Sequence, residues 1–362
     1  MDPIELRRRN GLRSGDETIT GQKVEHGVGF LEVLDRAEEV SEWAAKRALF
    51  SRDGGPVRRG IGAAAAFCGL GPGPAGRPLG DGAGASIVVS ADGSVTIATG
   101  TVDTGDGEST AFAQIAADVL GCPLEKVRVA DVDTSRLPDG PPAAARGGTW
   151  SAEAVRDAAS RVRSALDEAA GSADLPWQEA VALAAHKKGP LAGYGWSAPP
   201  EGGFDLAAGQ GAPHACYAFS AAVAEVEVDI ETAEVRVVRV TSSVDVGRAV
   251  NPASEEGVVE GGVLMGLGLA LFEENIFADG RVRNDRFSTY LLPTALDAPE
   301  VRVALVENPC PFGPFGAKGL ADAPVLPVAP AVSAAIAQAT GIRVSDLPAT
   351  AERIWAARRS KP

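Results

Sequence analysis

Apolar and polar positions alternate most clearly in two places. Ala85–Ser90 and Ser94–Thr99 carry β-branched residues on both sides of Ala91-Asp92-Gly93, which predicts a hairpin. Tyr217–Asp229 and Glu234–Val246, joined by Ile230-Glu231-Thr232-Ala233, alternate over longer stretches and predict paired strands with one buried face. A shorter β run is expected at Val127–Val132. Helical spacing appears at Arg36–Phe50, where Ala37, Val40, Trp43, Ala44 and Ala48 share a face. Ser109–Leu120, closed by Gly121, is a second helix, and Ser151–Ala170 and Trp177–Lys187 follow. Glu256–Asn275 reads as a glycine-studded apolar helix, with Val325–Ala339 and Ala349–Arg358 as the last two. Gly60–Cys68 is a small-residue apolar run whose type the pattern leaves open, and Gly69–Gly84 and Gly189–Pro213 read as loop.

These elements predict an α+β chain of two mixed-sheet lobes with packed helices. The divisions expected are an N-terminal segment and helix (1–57), a first lobe (58–200) and a second lobe (201–362). With 362 residues, 45% hydrophobic and 23% charged, the chain can bury a substantial core. Its net charge of −14 makes nucleic acid and anionic membrane poor partners. No apolar run reaches membrane-spanning length and the N-terminus lacks a signal-like apolar core, so a cytoplasmic location is expected. The four cysteines form no CxxC and the three histidines no HExxH, which argues against a metal or iron–sulfur cluster held by this chain alone. A GxSxG elbow is also missing.

The chemistry-bearing segments are three glycine-rich loops. Gly313–Gly319 places three glycines and Lys318 in seven residues, followed by Asp322. Its backbone can approach a ligand closely and cradle an anion, and Asp322 is positioned as a general base. A tight turn with a solvated Asp at a helix start would read the same way. Thr104-Gly105-Asp106-Gly107-Glu108-Ser109 joins a strand to a helix, but its two acids argue against a bound phosphate and no acidic ribose partner marks a dinucleotide site. Ala143–Gly148 adds small residues and Arg146.

Taken in order, Met1–Asn10, Gly100–Ala117, Leu137–Val155, Asp245–Pro252, Gly257–Gly262, Gly313–Pro330 and Gly341–Arg353 resemble the molybdenum hydroxylase (xanthine dehydrogenase/aldehyde oxidase) family, specifically the C-terminal half of its molybdopterin-binding subunit. The resemblance implies molybdopterin with molybdenum, in its plain or cytosine dinucleotide form, shared with a complementary chain carrying the N-terminal half. It also implies 2Fe–2S and FAD on partner subunits, and hydroxylation of an electron-poor carbon in a purine- or nicotinate-like heterocycle or an aldehyde. Asp322 would be the catalytic base. Gly105, Asp106, Gly107, Ala144, Ala145, Arg146, Gly147, Gly316, Ala317, Lys318 and Gly319 would hold the cofactor. A natural split, as in nicotinate dehydrogenase-like enzymes, is expected over a fragment, with residues 1–25 against the partner chain.

Three positions depart from the family pattern. Asp106 and Val258 stand where the family has glutamines that donate hydrogen bonds, and Asp322 where it has a glutamate. An ionised Asp only accepts, and Asp322 has roughly 1.5 Å less reach. A non-catalytic half that completes a partner's fold is therefore the alternative reading. Phe312 and Phe315 could stack on an aromatic ring or simply pack.

Overall fold

The computed structural model describes residues 1–72, 82–133, 135, 147–171, 175–200, 203–320 and 322–359. Two four-stranded mixed sheets organise the chain. The larger has the order β1-β8-β9-β12, built from β1 (Val57–Pro72), β8 (His214–Asp229), β9 (Val235–Asp245) and β12 (Glu300–Val306). Its β1/β8 and β8/β9 pairs are antiparallel, and β12 joins parallel to β9. The smaller has the order β4-β3-β2-β5, from β2 (Ala83–Val89), β3 (Val95–Thr99), β4 (Val127–Val129) and β5 (Leu191–Ser197). The two-residue hairpins β6/β7 (Phe204–Asp205, Gln210–Gly211) and β10/β11 (Phe277–Ala278, Arg281–Val282) complete the strands among the described residues.

Helices cover both faces of the larger sheet. On one face α8 (Val328–Thr340) lies so close that a Cβ at Gly60 would fall 2.1 Å from the Ala335 carbonyl oxygen, and one at Gly62 2.2 Å from that of Ala331. That approach explains the small-residue run. Gly60, Gly62 and Ala64 face α8, while Ile61 and Ala63 point to the other side and bury against the N-terminal helices. Residues 57–72 therefore belong to the sheet of β8, β9 and β12, whereas the sequence pattern grouped residues 58–200 together.

The opposite face is capped by α1 (Pro3–Asn10), α2 (Phe30–Ser41) and α3 (Trp43–Phe50). The single helix expected over Arg36–Phe50 is two, broken at Glu42 with φ 58°. Asp2 explains part of this: its carboxylate caps α1 through Ile4 N–H (2.8 Å) and accepts Trp43 Nε1–H (3.0 Å), fixing where α3 begins. The smaller sheet packs on α4 (Glu108–Leu120), α5 (Ala152–Ala170) and α6 (Trp177–Lys188). Gly195 of β5 again permits contact, since a Cβ there would meet the Ala154 carbonyl oxygen at 2.1 Å. The remaining helices are α7 (Pro252–Leu267), continued as a π turn to Phe272, and α9 (Ala351–Arg359). Among the described residues no helix is long and apolar enough to cross a membrane.

Candidate active site

The glycine-rich loops meet at one cleft. Residues 104–108 come from the β3–α4 connection, Gly148 from the turn before α5, residues 250–258 from the start of α7, and residues 317–322 from the loop before α8. The cleft holds about 500 Å³. Several contacts draw these segments together. Ser254 Oγ donates to the Asp106 carbonyl oxygen (3.0 Å), and a Cβ on Gly107 would strike Ser254 Oγ at 2.2 Å. Gly319 N–H donates to Thr149 Oγ1 (3.0 Å), and a Cβ on Gly148 would lie 3.0 Å from Gly319 Cα. The glycines serve close approach between loops.

Their N–H groups do not form the expected anion cradle. Gly316 N–H bonds to the Gly313 carbonyl (3.1 Å), Ala317 N–H to that of Pro314 (2.9 Å), and Lys318 N–H to that of Val246 (3.0 Å). With Gly319 bound to Thr149, every donor from 316 to 319 is used inside the protein. The other loop behaves alike: the Asp103 carboxylate accepts the N–H groups of Gly105 (3.0 Å), Gly107 (3.2 Å) and Ser109 (3.0 Å). Burial works against the charge on Asp103, but these bonds hold its carboxyl below the usual range.

Lys318 also departs from expectation. Its side chain is fully buried and turned to Asp245, itself fully buried, with Nζ–Oδ2 at 2.5 Å, and Nζ also donates to the Gly27 carbonyl oxygen (2.6 Å). The Phe219 ring lies 5.8 Å away. Burial raises Asp245, and Lys318 and the Gly247 N–H (3.0 Å) pull it back. The lysine ties the loop to β9 and to the N-terminal segment, so its charge is spent before the cleft.

Asp322 is exposed on the cleft wall. Its carbonyl accepts the Val325 N–H (2.9 Å), beginning the turn into α8. Phe312 packs on Trp150 with ring centroids 6.0 Å apart, while Phe315 is half-exposed at φ 55°. Ala144, Ala145 and Arg146 lie outside the described residues; Gly147 is buried beside the cleft.

The sequence reading missed Glu255 in the cleft and took Glu108 only as an acid set against a phosphate. Glu255 lines it from α7, accepting Val250 N–H at 3.1 Å, and burial raises it. Glu108, the first residue of α4, is 7% exposed, and its Oε2 finds no donor. A Cβ on Gly147 would fall 1.6 Å from Glu108 Oε1, so only glycine leaves room for the carboxyl. Burial first, then the Asp106 and Asp103 charges, push Glu108 up to about 8. A helix N-terminus favours a carboxylate by only ~0.3–1 kcal/mol, and here burial wins. Asp106 itself is raised by burial and by Asp103. An acid at the position after Gly-Asp-Gly was the available signal; its burial was not.

The described lining thus carries four carboxyl side chains, Asp106, Glu108, Glu255 and Asp322, and one cation, Lys318, already paired.

A family model described as a molybdopterin cofactor-binding domain matches residues 36–299. The chain is 32% identical to the putative xanthine dehydrogenase molybdenum-binding subunit XdhA of Escherichia coli (strain K12), over 98% of this chain and 49% of that protein. It is 29% identical to the 6-hydroxypseudooxynicotine dehydrogenase complex subunit gamma of Paenarthrobacter nicotinovorans, over 98% and 48% respectively. Its fold matches the crystal structure of quinoline 2-oxidoreductase from Pseudomonas putida 86 with a TM-score of 0.88 and 26% identity, covering 100% of this chain and 50% of that one. The chain spans about half the length of the relatives it matches.

Proposed function

Since this chain belongs to the molybdopterin-binding family of the molybdenum hydroxylases, we propose that it forms one wall of a molybdopterin site completed by a second chain segment equivalent to the other half of its relatives. The observation that carries the reading is the convergence of the three glycine-rich loops and the start of α7 on one cleft with Asp322 exposed to it.

The residues present fit such a group at its ring. A pterin carries both N–H donors and ring acceptors, and the cleft answers with the carboxyl groups of Asp106, Glu108 and Glu255. For the phosphate, the described lining offers no unpaired cation, which leaves that contact to Arg146 or to the other half. When bound, the molybdenum centre supplies the two-electron oxidation by which a water-derived oxygen is placed on an electron-poor carbon.

This chain's own part in that reaction is proton handling and enclosure. Asp322 takes up a proton at its carboxylate, which its exposure leaves open to the cleft. Lys318, Asp245 and Gly27 hold the loop that presents it. The substrate class we propose is an N-heterocycle of the purine or nicotinate type, or an aldehyde. Names of relatives acting on a nicotine-derived compound and on quinoline support the heterocycle. Electron transfer to 2Fe–2S and FAD on partner subunits is proposed on the same footing, as is the cytosine dinucleotide form of the cofactor. Purification of the native complex through this chain tests the reading. Asp322→Ala should abolish turnover of a heterocyclic substrate while leaving the cofactor in place; full turnover by that variant would sink it.

A further inference from the structure

Glu108 lines the cleft but takes no part in the proton uptake proposed for Asp322. It is 93% buried, lies on the cleft wall, and is wedged against Gly147 where no side chain fits. The Gly148 N–H donates to its carboxyl, yet Oε2 meets no donor in the protein. Asp106, two residues earlier on the same turn, lines the same cleft with its side chain exposed, and its charge acts on Glu108. A buried carboxyl without a donor, beside a second carboxyl on the same turn, favours one proton held by the two.

We propose that Asp106 and Glu108 act as one carboxyl pair that holds a single proton and presents it as a hydrogen bond to a heteroaromatic acceptor, a ring nitrogen or carbonyl oxygen, bound in the cleft. Asp106 read alone offers only an acceptor. With Glu108 behind it, the pair offers a donor at neutral pH, and the buried member keeps the proton from bulk water. Among the described residues, the other carboxyl groups of the loop and cleft disfavour a second negative charge on the pair. Asp103 lies on the same loop, Glu255 comes from α7, and Asp322 comes from the loop before α8. Lys318 is engaged by Asp245 and does not offset them. The proposal rests on the cleft being a pterin site, and the acceptor then belongs either to the cofactor or to the heterocyclic substrate.

The test uses the native complex and its Asp106→Asn and Glu108→Gln variants, both nearly isosteric. Molybdenum and released fluorescent pterin are measured after dialysis at a series of pH values, with KM for the substrate alongside. If the donor serves the cofactor, wild type retains it at neutral pH and loses it about tenfold more readily above the Glu108 pKa of about 8. Glu108→Gln should then retain about tenfold less at neutral pH with no such step, and Asp106→Asn should be flat and well loaded. Full loading with about a tenfold rise in KM for Glu108→Gln would assign the donor to the substrate. Wild-type loading, pH profile and KM in Glu108→Gln would overturn the proposal. A wild-type complex without molybdenum would remove the functional reading beneath it. Infrared spectra separate the two failures: a protonated carboxyl band at neutral pH, missing from Glu108→Gln, shows the pair whether or not cofactor is bound.

Discussion

Replacing Lys318 by Met separates a structural lysine from a ligand-binding one. The substitution keeps the length of the stem and removes the charge. It leaves Asp245 fully buried without its 2.5 Å partner, and frees the Gly27 carbonyl oxygen from its 2.6 Å bond. Breaking a buried pair from one side destabilises by about 3–5 kcal/mol, because the remaining charge stays desolvated. Asp245 keeps donors from Gly247 and Gly29, which places the expected loss near the lower end, about 3 kcal/mol. The deficit also has a pH signature. Burial already raises Asp245, and without Lys318 it rises further above its ordinary 3.8. A carboxyl raised in the folded state destabilises above the unfolded value and ceases to do so below it. The gap to wild type should therefore be full at neutral pH and close as the pH falls below about 4. Adding Asp245→Asn removes the orphaned charge and should recover most of the loss. Urea unfolding of the purified complex, followed by tryptophan fluorescence, reads all three proteins, with molybdenum content measured beside it. Wild-type stability in Lys318→Met would refute the reasoning, as would a stable double variant that has lost its cofactor, since then the ammonium serves a ligand.

Glu108 makes stability depend on pH in the same direction. Its pKa moves from 4.5 to about 8 on folding, so its penalty is absent below 4.5, grows between the two values and is complete above 8. Glu108→Gln should flatten that decline and raise stability at alkaline pH by up to about 5 kcal/mol, read as a shift in urea midpoint. Gly147→Ala, whose Cβ would stand 1.6 Å from Glu108 Oε1, should destabilise by about 1–3 kcal/mol on the same assay; an unchanged midpoint would show that the carboxyl has room to move. Asp322→Ala, at an exposed position, should change stability by less than about 0.5 kcal/mol while turnover falls by at least about 100-fold.

Much of the fold could be read from the sequence because local pattern and tertiary role agree in it. The β2/β3 hairpin, the β8/β9 pair and helices α4, α5 and α6 follow from β-branched alternation, Gly stops and helical spacing. β1 was ambiguous because its small residues answer to α8, a helix more than 250 residues later, and nothing in its own spacing records that. β5 and β12 were missed: β5 carries glycines where α5 presses on it, and its composition resembles loop. At the site, composition marked the loops that converge and the acid that faces the cleft. It could not show how each loop spends its donors. Lys318 looked available because Asp245 is 73 residues away, and the loop N–H groups of Lys318 and Gly319 looked free because their acceptors, Val246 and Thr149, lie on other elements. Glu108 counted in the sequence only as an acid that works against a phosphate, and its burial is what makes it chemical.

The most direct test of the central claim is the molybdenum content, by elemental mass spectrometry, of the complex isolated natively through this chain. The account predicts one molybdenum per copy, with flavin and iron–sulfur chains in the same complex. A stable complex of this chain and its partners that holds no molybdenum would contradict it, and would make the chain a structural half that completes another subunit's fold.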